Sequence, residues 1–261
     1  MTFNLLFLGD IIGKTGRGLL REHLGSLIRE YDVDFVVANG ENAAAGFGIT
    51  KKVYEELLSF GIDVITGGNH IWDKKDFVKD AVLCDKILRP LNVSSLQPGR
   101  GALTVEKDGV KITVINMLGR VFMPHCDCPF VSFDRLFHED SSDFIIVDFH
   151  AEATSEKNAF GLYVDGRASA VLGTHTHVQT NDERFLPKGT FYITDVGMCG
   201  SIDSVIGMNA EKAIYKLISG MPERNEVEEK GRKVISGVVL KFDIEKKAAV
   251  AYNKIYKIYG E

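Results

Sequence analysis

The sequence lacks a long apolar run and has few cysteines. No stretch approaches the roughly 20 apolar residues of a membrane-spanning helix, and the apolar N-terminal run stops at Asp10 without a basic leader. The cysteines, which are Cys84, Cys126, Cys128 and Cys199, number only 4 in 261 residues and form no disulfide framework. We therefore expect a cytoplasmic protein that has no secretory leader and binds no membrane.

A strong charge of either sign is also missing. The formal net charge is −5, which gives no basic surface for duplex DNA or an anionic membrane. A bound phosphate would need locally supplied positive charge, and metal ions are one source of it. Apolar residues make up 45% and charged residues 26%, so an ordinary folded core is expected. Because no linker or internal repeat divides the chain, we predict a single domain over residues 1–261.

Short apolar runs alternate with stretches of helical spacing, which predicts an α/β fold with mixed sheets and helices packed outside. The predicted strands are 4–9, 35–38, 63–66, 110–117, 144–149, 168–172 and 191–194, followed by a hairpin of 234–242 and 248–256. Apolar spacing predicts a helix over 16–31, and Thr50 and Asp73 are predicted to cap two further helices. Residues 85–101 are predicted to form a loop, and 201–230 to be partly mobile.

Polar side chains follow the predicted strands at the points where these strands end. In open α/β sheets, ligands gather in the crevice beyond the carboxyl ends of the strands. Five strand ends would therefore bring seven potential metal ligands together: Asp10, Glu41, Asn42, Asn69, His150, His175 and His177. Neighbouring glycines such as Gly9 and Gly68 allow sharp turns and a close approach of the backbone.

The donor types indicate two first-row metal ions. Mixed oxygen and nitrogen ligands suit Fe, Mn or Zn better than Mg or Ca, which prefer oxygen alone. Seven donors exceed the needs of one small ion and suit two ions about 3.5–4 Å apart, with Glu41 as the bridging carboxylate. Such a site would keep a surplus of positive charge and attract a phosphate. His70 would remain as a free imidazole that can protonate a leaving oxygen, and Asp148 is a candidate supporting residue.

Other motifs carry less information. The segment GDIIGKT at 9–15 is one residue too short for a P-loop, and no GxGxxG follows the first strand. Cys126 and Cys128 lie beside His125, but a structural zinc site needs four ligands in recognisable spacing and no second pair lies nearby. His23 falls on the apolar face of a predicted helix, so we interpret it as a core or boundary residue, and His138 belongs to no pattern.

Taken together, these residues resemble the calcineurin-like metallophosphoesterases, and in particular their YmdB branch. The similarity lies in the blocks GENAAAGFGIT at 40–50, GGNHIWD at 67–73, GTHTHVQT at 173–180, LPKGT at 186–190 and ITDVGMCG at 193–200. Ile12 stands where the wider superfamily has histidine, and Glu41 where it has aspartate; both features agree with the YmdB branch. The loop HCDCPF at 125–130 departs from the acidic residues that the branch leads us to expect there.

The resemblance implies a four-layer α/β/β/α sandwich and a dinuclear-metal phosphodiesterase, with iron as the metal and manganese or zinc as alternatives. It implies hydrolysis of small phosphodiesters such as 2′,3′-cyclic nucleotides through a metal-bridging hydroxide, with His70 as proton donor. The sequence also allows a regulatory nucleotide- or RNA-binding protein with weak residual activity, or a phosphomonoesterase or nuclease. RNA as a partner and a homo-oligomer remain open, and Phe47 is a candidate surface for a base.

Overall fold

The computed structural model describes residues 2–138 and 141–260, which form six α-helices and fourteen strands in two sheets. The helices are α1 (Gly13–Glu30), α2 (Lys51–Ser59), α3 (Lys75–Asp80), α4 (Pro129–Phe137), α5 (Thr154–Val164) and α6 (Ala210–Ser219). A 3₁₀ turn over Ala81–Leu83 follows α3.

The first sheet has eight strands from both ends of the chain. These strands are β1 (Thr2–Leu8), β2 (Asp10–Ile11), β3 (Phe35–Asn39), β4 (Val64–Thr66), β5 (Ile87–Leu88), β12 (Met198–Ser201), β13 (Lys233–Asp243) and β14 (Ala248–Tyr259). Their order is β2-β12-β13-β1-β3-β4-β5, and β14 pairs with β13. Strands β1, β3, β4 and β5 are parallel, whereas β13 is antiparallel to β1, β12 and β14. The predicted C-terminal hairpin is confirmed as β13 and β14.

The second sheet has six strands from the middle of the chain. These are β6 (Ala102–Lys107), β7 (Val110–Leu118), β8 (Phe144–His150), β9 (Ala170–Thr174), β10 (Arg184–Phe185) and β11 (Phe191–Ile193). Their order is β10-β11-β9-β8-β7-β6. The central strands β7, β8, β9 and β11 are parallel, and the outer strands are antiparallel to their neighbours. Both sheets are therefore mixed.

Burial on both faces explains the apolar strands. In β1, Leu5 and Phe7 pack between the two sheets, while Leu6 and Leu8 pack against the helices of the first sheet. The second sheet is covered on its outer face by α4 and α5, where the Phe160 ring stacks on Phe149 with centroids 4.3 Å apart. The chain thus forms four layers, helix on sheet on sheet on helix, as predicted.

Of the two predicted helix caps, one is confirmed and one is wrong, and two segments predicted to be irregular contain regular structure. Thr50 does cap α2, because its hydroxyl accepts the Val53 N–H at 3.3 Å. The predicted cap at Asp73 is wrong: Lys74 occupies the capping position of α3, and the Asp73 carboxylate instead contacts His70. The predicted loop at 85–101 contains the short strand β5, and the segment 201–230 contains helix α6.

None of the helices within residues 2–138 and 141–260 combines the length and the apolar character that crossing a bilayer requires.

Candidate metal centre

The seven predicted donors lie at one edge of the sandwich, where strands of both sheets end. Asp10 begins β2 one residue beyond the end of β1, Glu41 and Asn42 follow β3, and Asn69 follows β4. From the second sheet, His150 is the last residue of β8, and His175 and His177 follow β9. The expected meeting of distant residues at the strand ends is therefore what the structure shows.

One nitrogen lies at the centre of the first half of the site. His150 Nε2 lies 3.0 Å from Glu41 Oε1, 3.0 Å from Asn69 Oδ1 and 3.1 Å from His175 Nδ1. A single ring proton can serve only one of these acceptors well, whereas a cation can take an electron pair from each. The candidate ligand atoms of Glu41, His150 and His175 all lie within 4.8 Å of one another. This group fits a divalent metal ion.

The second half of the site lies on the other side of Glu41. Asp10 Oδ1 lies 3.6 Å from His177 Nε2, and Asn42 Nδ2 lies 3.3 Å from Asp10 Oδ1, from Glu41 Oε1 and from His177 Nε2. Asn42 Oδ1 is buried and has no hydrogen-bond partner among the described residues. Rotation of this amide by 180° would aim its oxygen at two carboxylates, an arrangement that a cation would stabilise.

Hydrogen bonds at the far side of two rings set their orientation. Thr174 Oγ1 donates to Asp148 Oδ1 at 2.6 Å, so it accepts from His150 Nδ1 at 2.8 Å. His177 Nδ1 donates to the Ile206 carbonyl at 2.9 Å. In both histidines Nδ1 therefore donates away from the site and Nε2 faces the other candidate donors, the ring orientation found in metal-binding histidines.

Buried carboxylates draw positive charge into this edge. Asp10 and Glu41 are fully buried. Burial alone raises the pKa of Asp10, but the charges on His177 and His150 hold it well below its usual range. Burial lowers the pKa of His177, yet the Asp10 carboxylate outweighs this effect and raises it to about 9. Burial, together with the charge on His150, lowers the pKa of His175 to about 4.

The turn that carries two histidines has an unusual backbone. His175 has φ = 103° and His177 has φ = 66°, in the left-handed region that residues other than glycine rarely adopt. Behind this turn, Lys157 Nζ donates to the Thr174 carbonyl at 2.7 Å and to Asp195 Oδ2 at 3.0 Å. Asp195 Oδ2 also accepts from the Thr176 N–H at 3.0 Å and its hydroxyl at 2.8 Å.

Lys157 and Asp195 were not predicted from the sequence, although both are buried. Asp195 lies in the block 193–200 that carries part of the family resemblance, and this was the available signal. Lys157 lies on α5, and a single lysine in a polar helical segment normally faces solvent, so the sequence held no signal for it.

Gly68 lets the backbone approach the donors closely. A Cβ atom at this position would lie 2.2 Å from Glu41 Oε2 and 2.6 Å from His150 Nε2. No other residue can occupy this position without displacing a predicted ligand.

His70 stands outside the inner group, as predicted. Its backbone N–H donates to Glu41 Oε2 at 2.9 Å, and its ring Nδ1 lies 2.8 Å from Asp73 Oδ2. Phe47 packs edge-on against the imidazole with centroids 4.9 Å apart. The half-buried ring borders a cavity of about 340 Å³ above the donors. This volume lies within the roughly 300–1,000 Å³ of small-molecule sites.

The other histidines and the cysteine pair lie away from these donors. His125, Cys126 and Cys128 border a separate cavity, and the buried Cys126 thiol lies 3.3 Å from Asn92 Nδ2. His23 is half-buried and stacks on Tyr259 with ring centroids 3.9 Å apart, which confirms it as a boundary residue.

Known proteins share both the sequence and the fold. A protein of Bacillus subtilis (strain 168) named 2′,3′-cyclic-nucleotide 2′-phosphodiesterase is 47% identical over 96% of each chain. A crystal structure described as a novel phosphatase from Mycoplasma pneumoniae is 38% identical, with a TM-score of 0.94 over 99% of this chain and 94% of that one. A hypothetical protein from Thermus thermophilus is 40% identical, with a TM-score of 0.93 over 99% of this chain and 100% of that one. The profile of the family described as YmdB-like protein matches residues 6–255, and this chain belongs to that family.

Proposed function

We propose that this protein is a metal-dependent phosphoric diester hydrolase that acts on small phosphodiesters such as 2′,3′-cyclic nucleotides. The observation that carries the proposal is the position of His150 Nε2 among three lone-pair donors beside the second donor group around Asp10. The name of the Bacillus subtilis relative supports the choice of substrate.

The residues that would hold the metal ions fall into two groups joined by Glu41. His150, His175 and Asn69 lie on one side, and Asp10, Asn42 and His177 lie on the other. Glu41 Oε1 contacts members of both groups, which suits a bridging carboxylate. The mixed oxygen and nitrogen donors support two first-row ions, with iron as our proposal and manganese or zinc as alternatives. Bound ions of this kind supply positive charge to phosphoryl oxygens and make water a stronger nucleophile near neutral pH.

His70 is proposed as the proton donor to the leaving oxygen. Its Nδ1 is engaged by Asp73 at 2.8 Å, so Nε2 is the ring nitrogen left to give a proton to a substrate in the cavity. The Asp73 carboxylate contacts Nδ1 and so orients the ring. A protein that only binds nucleotides would not need such a group, which favours catalysis over a purely regulatory role.

A hydrolysis panel tests this proposal. The purified protein is assayed with 2′,3′-cyclic nucleotides, linear dinucleotides, RNA and phosphomonoesters, and its metal content is measured on the same sample. We expect turnover of cyclic nucleotides in proportion to bound metal. Turnover of monoesters or RNA alone would favour a phosphatase or a nuclease. Tight nucleotide binding without turnover by the fully metal-loaded protein would favour a regulatory role.

Location and domain organisation complete the proposal. The sparse cysteines, all four of which are free thiols, support our proposal of a cytoplasmic protein. We propose that residues 1–261 act as one metallophosphoesterase domain.

A further inference from the structure

Helix α6 presents apolar side chains that no part of the described chain buries. Its apolar residues recur at helical spacing, yet the helix contains no buried residue. Ala213 and Leu217, one turn apart, face the cavity above the metal centre, and Leu217 is 79% exposed. An amphipathic helix normally packs its apolar side on a core. Here that side forms a wall of the cavity.

This wall is held in place by defined contacts. The Asn209 side chain caps α6 by accepting the Lys212 N–H at 3.2 Å, and its amide nitrogen donates to Glu228 Oε2 at 2.9 Å. Val205 and Met208 exchange backbone hydrogen bonds of 2.9 Å in both directions. The Ile206 carbonyl accepts from His177 Nδ1 at 2.9 Å, so the wall is tied directly to a proposed metal ligand.

The opposite wall is aromatic and meets the first wall at Met208. A Cβ on Gly46 would lie 3.0 Å from Met208 Cε, which shows how closely the two segments pack. Phe47, the next residue, borders the cavity together with His70. The cavity therefore has polar groups at its floor, where the donors lie, and mainly apolar groups at its sides, where Lys216 and Asn225 are the polar members.

Resting on the proposed function, we infer that Phe47, Met208 and Leu217 form a subsite for the nucleobase of the substrate. A phosphate bound at the donors would leave the rest of a nucleotide between these walls, because the cavity is continuous from the floor to Leu217. A base has two flat π-faces that pack on aromatic and apolar side chains. The thioether of Met208 adapts to ligands of different shape. The subsite thus makes the enzyme prefer nucleoside phosphodiesters over phosphodiesters without a base.

Two neighbouring residues of α6 offer a matched test. Leu217 borders the cavity, whereas Ile218 does not, although the two are 79% and 81% exposed. Leu217→Asn and Ile218→Asn are assayed with adenosine 2′,3′-cyclic phosphate and with glycerol 1,2-cyclic phosphate, which has the same reacting ring but no base. We expect Leu217→Asn to raise KM for the nucleotide about tenfold, with kcat and the glycerol substrate unchanged. Ile218→Asn should behave as wild type.

The assay results distinguish an error in the nucleobase subsite from an error in the proposed function. Equal effects of the two variants, or an equal loss on both substrates, would overturn the subsite while leaving the proposed function intact. If the wild type hydrolyses neither diester, the proposed function fails, and the affinity of the same three proteins for 3′-AMP then decides the subsite alone. Gel filtration supplies a further check: if Leu217→Asn elutes as a smaller species than wild type, the apolar side of α6 binds a second copy of the chain and the subsite is overturned.

Discussion

The His70 ring contacts Asp73 and Phe47, which lie outside the inner group of donors. His70 binds Glu41 only through its backbone N–H, and its ring is held by Asp73. We therefore expect His70→Ala to keep its metal content while kcat for a cyclic nucleotide falls by about 10²–10⁴-fold, the usual contribution of a positioned acid. Elemental analysis and steady-state kinetics on one preparation check both parts. His177→Ala is the contrasting variant and should lose metal. Unchanged kcat in His70→Ala would remove this residue from the mechanism.

Gly68 offers a second test at the scale of one atom. The methyl group of Gly68→Ala would lie 2.2 Å from Glu41 Oε2 and 2.6 Å from His150 Nε2. Because both neighbours are fully buried, they cannot move into solvent, so we expect loss of metal binding and of activity. Gly18→Ala is the control, since its Cβ would meet nothing within 4 Å on helix α1, and it should be neutral or slightly stabilising. Full metal content in Gly68→Ala would show that the site tolerates more movement than its packing indicates.

The positions of the seven proposed donors could be predicted from the sequence, because each lies at or just beyond the end of an apolar run that is easy to recognise. The supporting residues could not be predicted as readily. Thr174 gains its role only because β9 lies beside β8, which brings its hydroxyl to 2.8 Å from His150 Nδ1. Lys157 reaches the same region from a helix that was not predicted. Contacts of this kind depend on which strands and helices become neighbours in the fold, and the local sequence does not show this.

At the scale of elements, helix α5 supports the turn that carries His175 and His177. Its Lys157 is buried and paired with Asp195, and together they bind three groups of residues 174–176. Lys157→Met leaves a buried carboxylate without its partner, which typically destabilises a protein by about 3–5 kcal/mol. We also expect weaker metal binding, because the strained turn loses its support. Urea unfolding and titration with Mn²⁺ measure the two effects.

Two further variants distinguish the effect of losing the Lys157–Asp195 ion pair from general damage to the fold. Lys52→Met removes an exposed lysine on α2 and should change neither stability nor Mn²⁺ affinity by more than about 0.5 kcal/mol. The double variant Lys157→Met with Asp195→Asn leaves no unpaired charge and should recover part of the lost stability. Stability that drops in Lys157→Met without any change in Mn²⁺ affinity would contradict a positioning role for the pair.

Elements were predictable where the local pattern was strong. The strand β1 and the C-terminal hairpin have long apolar or alternating runs, and both were confirmed. Helix α6 was not predicted, because the segment 201–230 is polar as a whole and the helical spacing of a few apolar residues within it was overlooked; the helix buries none of its residues. The error at Asp73 arose since aspartate is both a good helix cap and a good partner for histidine, and the structure uses the second property.

For the whole molecule, the proposed metal centre lies where the two sheets meet. Asp10 and Glu41 come from the first sheet, whereas His150 and His175 come from the second, so the donor groups meet only when the sandwich is assembled. No local pattern encodes this meeting. It could be predicted only from the rule that strand carboxyl ends collect ligands and from the family resemblance.

Metal ions should therefore stabilise the whole fold. A ligand that binds only the folded state at 100 times its Kd adds about 2.7 kcal/mol, and for a chain of this size each kcal/mol raises Tm by about 2–4 °C. We expect Mn²⁺ to raise the Tm of EDTA-treated protein by about 5–10 °C, and EDTA to reverse the effect. Calorimetry of wild type and His177→Ala checks this, and the variant should show a clearly smaller rise because one ligand is missing. Equal rises in both proteins would place Mn²⁺ elsewhere on the molecule, and no rise in wild type would show that the two sheets are not joined by a metal at this edge.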